Sequence, residues 1–94
     1  MKSIQVETKR GWEAPEEHAF VLANGTKLLT LYDLITELDT MTQETFQHHV
    51  NDAKNDFAQW TQDVFGDKKL ADTLRTCATK EQHATTIINH LVTT

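Results

Sequence analysis

From residue 30 onward, apolar side chains recur every three or four positions, in short runs that each begin at a residue able to cap a helix. Leu31, Leu34, Ile35 and Leu38 form one stripe, and Thr30 stands where a hydroxyl can accept a free amide of the first turn. Thr42 opens a second helix. Met41 and Phe46 occupy the positions of a hydrophobic staple around it, with Phe46 and Val50 facing inward. Asp52 or Asn55 starts a third helix, along which Phe57, Trp60, Val64 and Phe65 share a side. Gly66 sits where a left-handed residue ends a helix. Asp67 caps a fourth, with Leu70, Ala71 and Leu74 inside, and Thr79 with Gln82 makes a capping box for a fifth. The spacing puts Ala84, Ile87, Ile88 and Leu91 on the buried side of that last helix.

Upstream the pattern changes. Asn24-Gly25 lies between two apolar runs, and both residue types accept the positive φ of a type I′ turn. The resulting hairpin sets Val21 opposite Leu28 and Leu22 opposite Lys27. A lone hairpin is marginal in water, so this one needs helices on one face. In residues 1–17, Ile4, Val6 and Thr8 alternate with polar neighbours as in a short strand. Gly11, Pro15 and the glutamates Glu13, Glu16 and Glu17 then break any period. Residues 1–17 are expected to be a mobile arm, with Trp12 as a candidate anchor, and residues 18–94 a single helical domain. The expected fold is mainly α: a compact array of about five short helices with an N-terminal β-hairpin.

A chain of 94 residues fits one domain and buries roughly 60 to 65 per cent of its unfolded surface. The net charge of -5 and pI near 5.4 oppose contact with phosphate backbones. Lys9-Arg10 and Lys68-Lys69 are the only adjacent basic pairs, and acidic residues lie near both. Neither nucleic acid nor a membrane is therefore expected as a partner. Cys77 is the single cysteine, which excludes an intramolecular disulfide and a zinc ribbon and fits a reducing compartment. No stretch is long and apolar enough to span a bilayer, and Met1 to Arg10 lacks the apolar run of a signal peptide. A cytoplasmic location is expected.

Residues 46 to 71 read Phe-Gln-His-His-Val-Asn-Asp-Ala-Lys-Asn-Asp-Phe-Ala-Gln-Trp-Thr-Gln-Asp-Val-Phe-Gly-Asp-Lys-Lys-Leu-Ala. This resembles the DUF5752-like family of small archaeal and bacterial domains, whose pattern is Phe, His-Val-Asn, Lys-Asn-Asp-Phe, Trp, Val-x-Gly-Asp and Leu-Ala. Phe46, His49, Val50, Asn51, Lys54, Asn55, Asp56, Phe57, Trp60, Val64, Gly66, Asp67, Leu70 and Ala71 fall on it. Thr61 departs from it, since an aliphatic residue is expected after the Trp. The resemblance extends from about Phe20 to Leu91 and does not reach the first 17 residues. It implies an accessory module fused to other domains, and no assigned activity.

His48, His49, Asp52 and Asp56 are the candidate metal ligands. On one continuous helix His48 and Asp52, and Asp52 and Asp56, would be i,i+4 neighbours, and imidazole with carboxylate suits a divalent ion. Adjacent histidines point about 100° apart on a helix, which weighs against a shared ion. The competing reading is structural. His49 faces inward and donates to a backbone carbonyl, while Asp52, Asn55 and Asp56 satisfy amides at a helix start. Lys54 pairs with a carboxylate, and Phe57 and Trp60 anchor a corner between helices. Nucleophilic catalysis has little support: Cys77 has His83 six residues on and Arg75 nearby but no orienting group, Ser3 is the only serine, and Gly11, Gly25 and Gly66 are isolated. Asp63 and Asp67 flank the Gly66 turn as capping groups. His83 and His90 share a helix face, read as solvated. The readings together favour a small non-catalytic protein-interaction or adaptor module with no cofactor and with another protein as partner. The alternative is a divalent-metal domain, possibly hydrolytic, centred on His48, His49 and Asp52. Oligomeric state is left open.

Overall fold

The computed structural model describes residues 13–93. Two short strands, β1 (Phe20–Val21) and β2 (Lys27–Leu28), form an antiparallel hairpin. Five helices follow: α1 (Leu31–Thr40), α2 (Gln43–His49), α3 (Asp56–Phe65), α4 (Lys68–Leu74) and α5 (Lys80–Thr93). Between α2 and α3, β3 (Val50–Asn51) and β4 (Lys54–Asn55) make a second antiparallel hairpin. The chain is mainly helical, with the small hairpin at its N-terminal side.

The helix ends follow from their capping residues. Thr30 accepts the Asp33 amide at 2.8 Å while the Asp33 carboxylate accepts the Thr30 amide, a complete capping box. Thr42, Asn55 and Asp67 cap α2, α3 and α4 by accepting from Thr45, Ala58 and Leu70. The Thr79 hydroxyl accepts the Gln82 amide, and Gln82 Oε1 accepts the Thr79 amide in return. Gly66, at φ 69°, closes α3 in the left-handed conformation.

The core runs from Leu22 and Leu28 through Leu31, Leu34 and Leu38 of α1 and Phe46 of α2. It continues through Phe57, Ala58 and Trp60 of α3 and Leu70, Ala71 and Leu74 of α4 to Ile87 of α5. Phe57 lies at its aromatic centre, with ring centroids at 5.0 Å from Phe20, 6.3 Å from Phe46 and 5.4 Å from His49. Thr61 is fully buried and donates its hydroxyl to the Phe57 carbonyl at 2.8 Å, so its polarity is satisfied within its own helix.

Three expectations are corrected. The hairpin pairs Phe20 with Leu28 and Val21 with Lys27, one residue away from the expected register. The Leu22 amide donates to the Thr26 carbonyl, and the Gly25 amide donates back to Leu22, so Ala23–Gly25 form a three-residue loop with Gly25 at φ 93°. A one-residue slip reverses the faces of a strand. Here it buries Leu22 and leaves Val21 exposed. The boundary drawn after residue 17 also moves: Ala14 is buried, its amide donates to the Leu29 carbonyl, and Glu13 bridges Thr30. The proposed strand at Ile4, Val6 and Thr8 and the anchor Trp12 lie outside the described residues. Finally, Ile88 of α5 is exposed, and His83 occupies the buried side in its place.

Candidate functional site

The motif that drew attention in the sequence folds into a junction built on two histidines. His49 ends α2 with 5% of its surface exposed. Its Nε2 accepts the Ala23 backbone amide at 2.9 Å. An accepting Nε2 carries no proton, so the neutral ring is protonated at Nδ1, which donates to Asp56 Oδ2 at 3.0 Å. The Lys54 ammonium donates to the same carboxylate oxygen at 2.9 Å. Partial burial pushes the Asp56 pKa up, but the hydrogen bonds from Lys54 and His49 and the Lys54 charge outweigh it and hold the carboxyl below its ordinary value of 3.8. His49 thus fastens the N-terminal hairpin to the start of α3. Trp60 adds a second tie, its indole Nε1 donating to the His18 carbonyl at 2.8 Å.

The other half centres on Asn55. Its Oδ1 accepts the Ala58 amide at 3.0 Å as the α3 cap. Its Nδ2 donates to the Leu74 carbonyl at the end of α4, at 3.1 Å, and to His83 Nε2 of α5, at 2.9 Å. The cap fixes which end of the amide carries the hydrogens, and His83 must then accept at Nε2. Its Nδ1 donates to the Thr79 carbonyl at 2.8 Å. His83 is fully buried, with its ring edge-on to Phe46 at 5.2 Å. Burial pushes its pKa below 6.5, partly opposed by the hydrogen bond to Thr79. One primary amide therefore joins α3, α4 and α5.

The candidate metal ligands do not converge. Both nitrogens of His49 are engaged, His48 projects from the exposed side of α2, and Asp52 stands exposed in the β3–β4 turn. The cause is the second hairpin. It ends the helix at His49, so the i,i+4 spacings drawn through Asp52 and Asp56 do not apply. Among the described residues no three His, Cys, Asp or Glu side chains are placed to hold a metal ion.

The rest of the motif serves the corner. Asn51 donates from Nδ2 to the Gln47 carbonyl at 3.0 Å and accepts the Ala53 amide at Oδ1, forming the β3–β4 turn. Phe46, Phe57 and Trp60 are buried, and Gly66 and Asp67 pass the chain from α3 to α4. Two details of the structural reading change. His49 accepts a backbone amide instead of donating to a carbonyl, and Asp56 pairs with His49 and Lys54 instead of capping.

The face read as solvated also changes, because His83 is buried and His90 Nε2 lies 2.7 Å from the Asp67 carboxylate, a half-buried pair. The signal for His83 was present, since it precedes Ile87 and Leu91 by one and two helical turns. Its polarity masked the stripe. Cys77 is half-buried, with Sγ 3.3 Å from the Thr86 hydroxyl, and both His83 nitrogens are committed elsewhere. Arg75 donates to Gln59, Gln62 and Asp72.

A different surface is left for function. A groove of about 410 Å³ runs between α1 and α5, with Ile35, Leu38, Ala84 and Ile88 along it and Asp39, Lys80 and Glu81 at one end. Of the four exposed large apolar side chains among the described residues, three belong to these two helices: Tyr32 at 56%, Ile88 at 43% and Val92 at 78% exposure. Val92 continues the Ala84–Ile88 stripe by one turn, and Tyr32 lies one turn before Ile35. No helix of the described residues is long and apolar enough to cross a membrane. Compared with protein-family models, with curated proteins and with solved structures, the chain matches none.

Proposed function

We propose that this is a non-catalytic protein-interaction module of the cytoplasm and that α1 and α5 present its contact face. The observation that carries this reading is the groove between α1 and α5, with Ile35, Leu38, Ala84 and Ile88 along it and the exposed Tyr32 and Val92 on the same two helices. Scattered single apolar residues are ordinary on a protein surface, whereas a contiguous apolar patch rimmed by polar groups marks a binding site. The histidine motif then serves as scaffold, since its imidazoles and its Asn55 amide are used in holding hairpin and helices together. The likeness to DUF5752-like accessory domains, carried by the Phe46–Ala71 motif, agrees with this division between scaffold and surface.

Site-specific photo-crosslinking in the source cell tests the reading. A photoreactive residue replacing Ile88 is expected to give discrete adducts with another protein, and one replacing the exposed Lys69 is expected to give none. No adduct at position 88, or the same adducts at both positions, would overturn it.

A further inference from the structure

The groove also carries information about what fills it. Its floor is apolar, formed by Ile35, Leu38, Ala84 and Ile88. Its polar end is acidic in effect. Asp39 and Glu81 stand there exposed and outnumber the one cation, the Lys80 ammonium, which donates to the Met41 carbonyl at 2.8 Å. Late residues of α1 lie beside early residues of α5, so the two helices form a trough lined from α5 by Ala84 and Ile88, with the exposed Val92 one helical turn beyond. An element that lays one apolar face along such a trough is an amphipathic helix, with anchors at i, i+3 or i+4, and i+7.

The charges then choose among helices. A second copy of this chain would bring a partner of net charge -5 to a groove whose polar end is itself acidic. Like charges set together across an interface oppose it, and opposite charges steer the encounter and fix the register. We infer, on the interaction reading above, that the groove between α1 and α5 receives a basic amphipathic helix of another protein. Its apolar anchors seat on Ile35, Ala84 and Ile88, and its Lys or Arg residues lie over Asp39 and Glu81.

The test is a display library of stapled fifteen-residue helices. All carry leucine or isoleucine at i, i+3, i+4 and i+7, with the flanking positions drawn from lysine and glutamate, and they are selected on the full chain. Enrichment of lysine flanks is expected, and the selected peptide should shift backbone NMR signals in α1 and α5. Ile88→Asp should weaken that peptide about tenfold or more, and Asp39→Lys with Glu81→Lys should reverse the charge preference of the library. All three positions are exposed, so thermal melts of the variants will show whether the fold is intact. Enrichment of glutamate flanks, no enrichment, or shifts confined to other elements would overturn the basic-helix assignment. The crosslinking at position 88 is independent of peptide charge. An adduct there alongside a failed library removes this inference and leaves the module, and failure of both removes the module as well.

Discussion

His83 and His49 use their rings in the same way. Each is buried, donates from Nδ1 and accepts an N–H at Nε2. A second proton would point an N–H at a donor in either case. They differ in the partner at Nδ1: His49 faces the Asp56 carboxylate, which Lys54 shares, while His83 faces the Thr79 carbonyl and is packed against Phe46 and Phe57. Burial lowers the His83 pKa from 6.5. As pH falls, the unfolded chain therefore takes up this proton before the folded chain does. His83 supports the fold fully above about pH 6.5, and that support is lost as pH falls from there through the folded-state value. One proton changes stability by at most about 1.4 kcal/mol per pH unit. Urea unfolding between pH 8 and 5 should give a wild-type profile that declines more steeply than that of His83→Gln by up to this slope. Parallel profiles would show that His83 does not titrate differently on folding.

At the scale of the element, the helices were legible because their caps are local chemistry. Thr30, Thr42, Asp67 and the Thr79–Gln82 box all act where the sequence places them. So does Gly66, whose φ of 69° disfavours any side chain although a Cβ there would meet nothing within 4 Å. Gly66→Ala should therefore cost about 1–2 kcal/mol from backbone strain alone. Gly66→Asn should cost less, because asparagine tolerates the left-handed region. Chemical denaturation of the two variants measures this, and equal losses would show that the left-handed backbone is not the source of the cost. The pairings were less legible. Register in β1–β2 depends on which of Val21 and Leu22 the helices bury, which is a tertiary choice. Strands β3 and β4 are two residues each, too short to show alternation. The buried face of α5 is obscured in the sequence for a related reason. His83 lies on the buried stripe with Ile87, and only the amide of Asn55, 28 positions upstream, makes that position hospitable to an imidazole.

Across the whole molecule, the N-terminal hairpin and the helices are joined by few, specific ties. Beyond apolar packing these are the Ala23 amide on His49, the His18 carbonyl on the Trp60 indole and the Leu29 amide on Asp33, while the Glu16–Lys27 pair ties the N-terminal part only to itself. The last is exposed and contributes about 0–1 kcal/mol. The helical part is held differently: α1 packs on α5, α3 on α4, and the Asn55 amide closes the junction from inside. Proteins open in cooperative units, and a unit fastened by fewer buried bonds opens at lower cost. His49→Leu fills most of the ring's space but leaves the Ala23 amide without its acceptor, whereas Asp56 keeps Lys54 and partial access to solvent. Hydrogen exchange should then accelerate across residues 20–28, with α5 exchanging as in the wild type. The prediction separates two architectures. If α5 accelerates by the same factor, the hairpin and helices unfold as one unit and His49 stabilises the whole. If only the hairpin does, His49 is a clasp that fastens the hairpin to the helical body, and the groove between α1 and α5 keeps its shape when the clasp is lost.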